Sequence, residues 1–186
     1  TDVPCSGEGM FRKDEVAVQE WSIANVDTCW QRQRRILRDI WPCLKTGGLL
    51  VYSTCTYNRE ENEDNVAWIA QELGAEVLPL EVKPEWHITG NLTEHTFPVY
   101  RFLPHKTTGE GLFLAVLRKT SEEDRECARV KPAGKSPKKG KGGKTPVLQC
   151  RERCRHGYTE QKVMSFVWKR WKQWLFLWPI KTFMIC

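Results

Sequence analysis

The stretch VYSTCTYNREENE, residues 51–63, decides the fold of this chain. It begins inside the apolar run LLVYS (49–53), which is typical of a buried parallel strand. A polar turn follows, and Asn58 with Glu61 three residues later has the spacing of a helix capping box. The stretch therefore predicts a strand that leads through a short turn into a helix, with Cys55 at the turn.

Helix signals lie on both sides of this stretch. Residues 26–44 carry apolar side chains at helical spacing, and the pair Gly47-Gly48 supplies a stop. After the turn, a helix that runs to Gly74 is predicted by an apolar stripe, made up of Val66, Ile69, Ala70 and Leu73. The two predicted helices therefore lie on either side of the strand predicted at 49–53.

Further strand signals complete the pattern. Residues 75–81 predict a strand, and the runs at 100–105 and 111–119 predict a closing hairpin. This alternation indicates an α/β fold with a doubly wound sheet over residues 1–120. The first strands of such a sheet are missing, because TDVPCSGEG (1–9) already has the pattern of a strand end and its turn. We therefore expect the C-terminal part of a larger domain.

Charge divides the chain into two parts. Residues 1–128 contain 14 Lys/Arg and 21 Asp/Glu, whereas residues 129–186 contain 15 and 2, so the net charges are −7 and +13. Residues 121–147 are rich in Lys, Gly and Pro and predict a flexible linker, followed by a basic, Trp-rich tail with a short helix at 148–186. A basic extension on an acidic domain favours a nucleic-acid partner, although solubilising extensions have the same composition.

The tail leaves several interpretations open. Its tryptophans at three- and four-residue spacing suit a helix packed on the core, RNA base stacking or interfacial membrane binding. Interspersed Lys and Arg argue against a spanning helix, so we expect no membrane partner. Cys150, Cys154 and His156 have the chemistry of metal ligands, but no fourth ligand or standard zinc spacing accompanies them, and we predict no metal.

The chain contains eight cysteines at irregular spacing and no secretion signal. Reduced thiols in a cytoplasmic, monomeric protein are therefore expected rather than a disulfide framework. Two of the cysteines follow predicted strands. Cys5 lies between DVP and SGEG, and Cys55 lies one helical crossover later.

Neighbouring strands lie about 4.8 Å apart, so these two strand ends would bring both thiols to one edge of the sheet. A single such cysteine favours packing, whereas two at equivalent strand ends favour chemistry.

The two cysteine segments carry a resemblance. DVPCSGEGMFRK (2–13) and VYSTCTYNREENE resemble motifs IV and VI of the Sun-type RNA (cytosine-5) methyltransferases, most closely the bacterial ribosomal RsmF branch. RFLPHKTTGEGLFLAVLRK (101–119) resembles the closing segment of the same domain, and the match covers about residues 1–120. The resemblance implies a partial Rossmann-like class I methyltransferase fold and S-adenosylmethionine-dependent methylation of RNA, with rRNA as the expected substrate.

The resemblance also implies roles for individual residues. Cys55 would be the nucleophile that attacks carbon 6 of cytosine, and Cys5 would assist product release. Asp2 would contact the base and an edge of the donor site. Further contacts to the substrate are expected from Pro4, Thr54, Thr56 and His105, the last of which is equally typical of a solvated turn.

The sequence departs from the family pattern at the donor site. The family binds S-adenosylmethionine on a Gly-rich loop upstream of motif IV, which this chain lacks, so we expect the isolated chain to be inactive. Two alternatives stay open at this point: a non-catalytic RNA-binding fragment, and a DNA cytosine-5 methyltransferase, which also has a Pro-Cys turn.

Two charged features have open or structural interpretations. The acidic residues Glu60, Glu61, Glu63 and Asp64 are interpreted as helix capping rather than chemistry. Arg101 suits either an RNA phosphate or an acid on a neighbouring strand.

Overall fold

The computed structural model describes residues 1–121, so the predicted linker (121–147) and tail (148–186) lie outside the described residues, apart from Ser121. Within this range the helices are α1 (Glu15–Glu20), α2 (Ile23–Ile40) and α3 (Glu63–Glu72). The strands are β1 (Leu49–Thr54), β2 (Ala75–Val77), β3 (Tyr100–Phe102) and β4 (Leu112–Lys119). Short 3₁₀ turns cover Glu8–Met10, Trp41–Cys43 and Pro84–Trp86.

Strand β4 organises the sheet. It pairs antiparallel with β1 along its length, and with β2 and β3 at its two ends. The predicted hairpin of β3 and β4 is confirmed, and the α/β class is confirmed. The parallel pairing expected for β1 is confined to a bridge between Asp2 and Ser53, and the neighbour of β1 on its other side is the antiparallel β4.

The core lies on both faces of β4, since successive side chains of a strand point to opposite sides. Phe113, Ala115 and Leu117 pack with Tyr52 on the face covered by α2 and α3. Leu114 and Val116 pack on the other face, against buried residues from the 78–102 segment. The sheet is therefore buried on both sides, and β1 is held between β4 and the helices that cover it.

Helix α2 begins and ends earlier than residues 26–44. The Ser22 hydroxyl accepts a hydrogen bond from the Asn25 amide at 3.1 Å and starts the helix at Ile23. The α-helix ends at Ile40 because Pro42 has no amide proton to donate, and the chain continues as a 3₁₀ turn.

Two other predicted boundaries were wrong. Helix α3 begins at Glu63 rather than after Asn58, since Asn58 closes a local turn by accepting from the Glu61 amide at 2.9 Å. The strand predicted at 75–81 ends at Val77, and only Leu78 continues the pairing, through one hydrogen bond to Val116. Pro79 follows directly and cannot donate to a sheet. Among the described helices, none is long and apolar enough to cross a membrane.

Candidate active site

The two cysteines meet at the edge of the sheet. The parallel bridge between Asp2 and Ser53, with the Val3 amide donating to the Ser53 carbonyl at 3.3 Å, places the two strand ends side by side. The Sγ atoms of Cys5 and Cys55, 50 positions apart in the chain, lie 3.0 Å from each other within hydrogen-bonding distance. Both residues are half-buried, so this thiol pair is reachable from solvent.

A close backbone contact locks the two segments together. The Gly9 amide donates to the Cys55 carbonyl at 2.8 Å. A Cβ at Gly9 would lie 2.6 Å from that carbonyl oxygen and 2.9 Å from the carbonyl oxygen of Glu110. The contact therefore requires glycine for lack of space, not for backbone conformation.

The peptide groups on both sides of Cys5 are held by buried side chains. The Ser6 amide donates to the Glu61 carboxylate, at 3.1 Å to Oε2. The Pro4 carbonyl accepts from the Gln33 Nε2 at 3.0 Å. Ser6, Gln33 and Glu61 are all buried, which makes this turn a rigid part of the protein.

The loop after Cys55 is fixed in the same way. The Thr56 hydroxyl lies 2.9 Å from the Ser6 hydroxyl, which joins the residues that follow the two cysteines. The Thr54 hydroxyl donates to Asn62 Oδ1 at 2.5 Å. Both threonines are buried and have protein partners, Thr54 at the end of β1 and Thr56 in the loop; a contact of either with a substrate stays a prediction.

Glu8 holds this loop from the Cys5 side. Its Oε2 accepts from the amides of Tyr57 at 2.6 Å and Asn58 at 2.9 Å. Its Oε1 accepts from the Trp21 indole at 3.1 Å. The carboxylate thus gives partners to backbone donors just beyond Cys55.

The interpretation of the acidic run as helix capping was wrong for two of its residues. Glu61 and Glu63 are fully buried, and Glu63 forms a bidentate ion pair with Arg101, including a 2.7 Å hydrogen bond from the arginine Nε. Arg101 also donates to the Tyr57 carbonyl at 2.9 Å. Its partner is therefore an acid, on a helix rather than a strand, and the guanidinium is too buried to meet RNA.

Electrostatics distinguish the site groups. The hydrogen bond with Cys55, and then burial, raise the pKa of the Cys5 thiol well above its usual value. Burial likewise raises the pKa of Asp2, whose carboxyl accepts no hydrogen bond within residues 1–121. Cys5 is thus a protonated thiol at neutral pH, beside a second sulfur.

The predicted substrate contacts divide into two groups. Asp2 pairs with Ser53, two residues before Cys55, and the exposed Pro4 directly precedes Cys5. His105 is exposed and lines a separate open cavity of about 530 Å³ with His87, Ile88, Thr89 and Lys106. The structure therefore does not bring His105 into the ring of contacts around the cysteines, and its role stays a prediction.

Sequence reasoning missed Gln33. A signal existed, because Gln33 occupies the same helical stripe as Val26 and Leu37 and is buried with them. A polar side chain on an apolar stripe has to find hydrogen-bond partners inside the protein. Glu8 also went unrecognised, and nothing in its local sequence separates it from an ordinary turn residue.

The described residues offer little for a metal or cofactor. In the part of the chain that the structure describes, no cluster of His, Cys, Asp and Glu could hold a metal ion. The glycines near the thiol pair serve other purposes: Gly7 has a positive φ of 74° ahead of a three-residue turn, and Gly9 contacts Cys55. Asp2 is the residue for which a contact to the methyl donor is expected, and that role stays a prediction.

Comparisons with known proteins identify the family of this chain. The family described as 16S rRNA methyltransferase RsmB/F matches residues 1–118. Ribosomal RNA small subunit methyltransferase F of Enterobacter sp. (strain 638) is 38% identical over 124 residues, covering 64% of this chain and 25% of the relative. The same-named protein of Escherichia coli O9:H4 (strain HS) is 42% identical over 122 residues, with the same coverage. The chain spans about a quarter of the length of these relatives.

Solved structures give the same result. The crystal structure of NSun6 from Pyrococcus horikoshii with SFG matches with a TM-score of 0.53 and 30% identity, covering 65% of this chain and 29% of that one. A methyltransferase homologue from the same organism matches with a TM-score of 0.51 and 29% identity, covering 63% and 37%. The partial Rossmann-like methyltransferase fold is therefore confirmed. With the family match over residues 1–118 and the methyltransferase F relatives, the chain belongs to the 16S rRNA methyltransferase RsmB/F family, on its RsmF branch.

Proposed function

We propose that this chain carries the cysteine chemistry of an S-adenosylmethionine-dependent methyltransferase that modifies carbon 5 of cytosine in small-subunit rRNA. The observation that carries the proposal is the 3.0 Å separation of the Cys5 and Cys55 sulfurs at the sheet edge. Relatives named ribosomal RNA small subunit methyltransferase F support the choice of rRNA.

Cys55 is the nucleophile of the proposed reaction. Its thiol loses its proton to solvent, the sulfur adds to carbon 6 of cytosine, and the electron pair of the carbon 5–carbon 6 double bond moves to carbon 5. Carbon 5 is then electron-rich enough to take a methyl group. The target base has to leave its stack to reach the half-buried thiol.

Cys5 acts when the product is released. A base removes the proton from carbon 5, the ring double bond re-forms, and the bond between carbon 6 and the Cys55 sulfur breaks. The Cys5 thiol, hydrogen-bonded to that sulfur, donates its proton to it as it leaves, and the proton that the base took from carbon 5 then restores the Cys5 thiol. Its raised pKa suits this role, because the proton is present at neutral pH. Across the whole reaction a methyl group replaces one proton.

Asp2 and Pro4 hold the base. Asp2 pairs with Ser53, two residues before Cys55, and its carboxyl, which has no hydrogen-bond partner among the described residues, contacts the ring-nitrogen edge of the base. The Pro4 carbonyl, which already accepts from Gln33, presents a second lone pair to the cytosine amino group.

The methyl group comes from S-adenosylmethionine when it is bound. We propose Asp2 as a contact to this donor among residues 1–121, and the chain spans about a quarter of the length of the methyltransferase F relatives. The test therefore uses a chimera, in which residues 1–121 replace the segment of the Escherichia coli strain HS relative that aligns with them.

The chimera is mixed with S-adenosylmethionine and 16S rRNA carrying 5-fluorocytidine. Fluorine at carbon 5 blocks the final elimination, so a covalent protein–RNA adduct that survives denaturing electrophoresis is expected. Cys55→Ser abolishes it, whereas Cys29→Ser, a change at another half-buried thiol, does not. An adduct that persists in Cys55→Ser would refute the nucleophile assignment.

Ordinary rRNA tests the release step. Cys5→Ser in the chimera is expected to accumulate adduct without fluorine, because addition still occurs while release is slow. Rapid turnover without accumulation would contradict the role of Cys5. RNA binding without any adduct in the unaltered chimera would favour a non-catalytic RNA-binding role, and adducts on DNA but not RNA would favour a DNA methyltransferase.

A further inference from the structure

Glu61 is a buried carboxylate that the proposed reaction does not use. It is 0% exposed, yet it lies at the thiol pair rather than in the core. Its Oε1 accepts from Asn58 Nδ2 at 2.8 Å, and its Oε2 accepts from Gln33 Nε2 at 2.6 Å and the Ser6 amide at 3.1 Å. Every donor is a neutral amide.

The carboxylate has no cation to offset its burial. None of the ion pairs among residues 1–121 includes Glu61, whereas the equally buried Glu63 is paired with Arg101. Burial accordingly raises the pKa of Glu61, despite the hydrogen bonds from Ser6, Asn58 and Gln33 that lower it. A charge kept inside a protein on neutral donors alone is costly, so its position calls for a reason.

The donors share one property: they lead to the residues that flank the two cysteines. Ser6 follows Cys5 directly. Asn58 also donates to the Thr56 hydroxyl at 2.9 Å, and Thr56 follows Cys55 directly. Removal of the carboxylate would free the turn after Cys5 and loosen the loop after Cys55 together.

Gln33 extends the same arrangement to the peptide group before Cys5. Its Nε2 donates both to Glu61 and to the Pro4 carbonyl, at 2.6 and 3.0 Å. Its Oε1 accepts from Asn65 Nδ2 at 2.6 Å, which leaves the amide group one orientation. The carboxylate and this amide therefore hold the backbone on both sides of the Cys5 thiol.

We propose that Glu61 is the positioning residue of the thiol pair: through Ser6, Gln33 and Asn58 it fixes the Cys5 sulfur against the Cys55 sulfur. The inference rests on the proposed function for its catalytic consequence, but the positioning itself is measurable without RNA. It predicts that a change confined to this carboxyl separates the sulfurs while the fold persists.

The first test measures how readily the two sulfurs bond. The 186-residue chain is equilibrated with reduced and oxidised glutathione, so that two thiols and one glutathione disulfide exchange for one Cys5–Cys55 disulfide and two glutathione thiols. The fraction linked is determined by mass spectrometry of the joined peptides. Glu61→Gln replaces one of the two carboxylate oxygens, which accept from three amides, by an NH₂ group, which cannot accept. It is expected to lower the equilibrium constant at least tenfold, which corresponds to about 30 mV.

Glu60→Gln is the matched control. It removes the same charge one residue away, at an exposed side chain, and is expected to leave the constant unchanged. Circular dichroism of each variant at the temperature of the titration verifies that it is folded. If Glu61→Gln folds and has the same equilibrium constant for Cys5–Cys55 disulfide formation as Glu60→Gln, the proposal is overturned. If Glu61→Gln does not fold, Gln33→Glu/Glu61→Gln, which exchanges the two groups, has to restore folding with a lowered constant.

The second test uses the chimera and ordinary rRNA. Misplacement of Cys5 is expected to reproduce the effect of Cys5→Ser, with adduct accumulation and a lower kcat but an unchanged KM for RNA. If Glu61→Gln slows adduct formation and adduct release by the same factor, the result would contradict a role in positioning Cys5. An unaltered chimera that forms no adduct would refute the proposed function alone, because the glutathione constant stays interpretable.

Discussion

Arg101 and Glu63 form a buried bidentate ion pair that ties strand β3 to the first turn of helix α3. The arginine also donates to the Tyr57 carbonyl, two residues beyond Cys55. The pair thereby connects strand β3, on the side of β4 opposite to β1, to the loop that follows Cys55. Arg101 is 4% and Glu63 is 0% exposed, so each depends on the other for compensation.

Glu63→Gln is expected to lower the free energy of unfolding by about 3 kcal/mol, because it leaves a buried guanidinium without its counter-charge. Urea denaturation of the 186-residue chain measures the loss. Glu60→Gln, at an exposed position, should stay within about 0.5 kcal/mol of the unaltered chain. The double variant Glu63→Leu/Arg101→Met should lower the free energy of unfolding by less than Glu63→Gln does, because it removes both charges. A loss equal to the sum of the losses of Glu63→Leu and Arg101→Met alone would argue against the pair.

Gly9→Ala tests the backbone contact between the two cysteine segments. The added Cβ would lie 2.6 Å from the Cys55 carbonyl oxygen, so one segment has to move. We expect a loss of about 1–3 kcal/mol in unfolding free energy and a lower constant for Cys5–Cys55 disulfide formation. Gly90→Ala is the control, since nothing lies within 4 Å of its Cβ position. Equal effects of the two changes would show that the contact is not required.

Cys29 gives a pH-dependent measurement on helix α2. Burial, and next the charge of Glu61, raise the pKa of its thiol to about 11. The thiolate is the form that iodoacetamide modifies, so the modification rate of Cys29 should rise with pH up to a midpoint near 11, above the usual value of about 8.5. Peptide mass spectrometry follows the rate. Glu61→Gln should move the midpoint to lower pH, and a midpoint near 8.5 in the unaltered chain would be inconsistent with the burial.

The same shift predicts how stability depends on pH. Between about 8.5 and 11 the folded chain retains a Cys29 proton that the unfolded chain has lost. The free energy of unfolding should therefore fall as pH rises through this interval, and this decrease should be smaller in Cys29→Ser. Urea denaturation at several pH values checks the sign.

The segment 129–186 is expected to carry RNA affinity, since its net charge is +13 against −7 for the remainder of the chain. Deletion of 129–186 should weaken RNA binding and flatten its dependence on salt, because fewer counterions are released. Replacement of the lysines in 129–147 by glutamine, with the tryptophans kept, separates charge from stacking. Binding unchanged by the deletion would identify a passive extension.

Much of the fold could be predicted because its signals are local. The apolar run at 49–53 gives β1, and the turn at Gly74 gives the end of α3. The hairpin of β3 and β4 also followed from its own two runs. Boundaries failed where a single residue decides, as Pro42 does for α2 and Asn58 for the turn before α3.

The sequence by itself determined which residues are chemically suited to the site, because Cys5 and Cys55 each follow a strand and strand ends of neighbouring strands share an edge. Only the tertiary structure decided that the two sulfurs lie 3.0 Å apart, and that Glu61 and Gln33 hold them there. Burial is the reason. An acid after a turn has the same local sequence whether it caps a helix in water or lies inside the protein, and only the packing of distant segments gives Glu61 its buried donors.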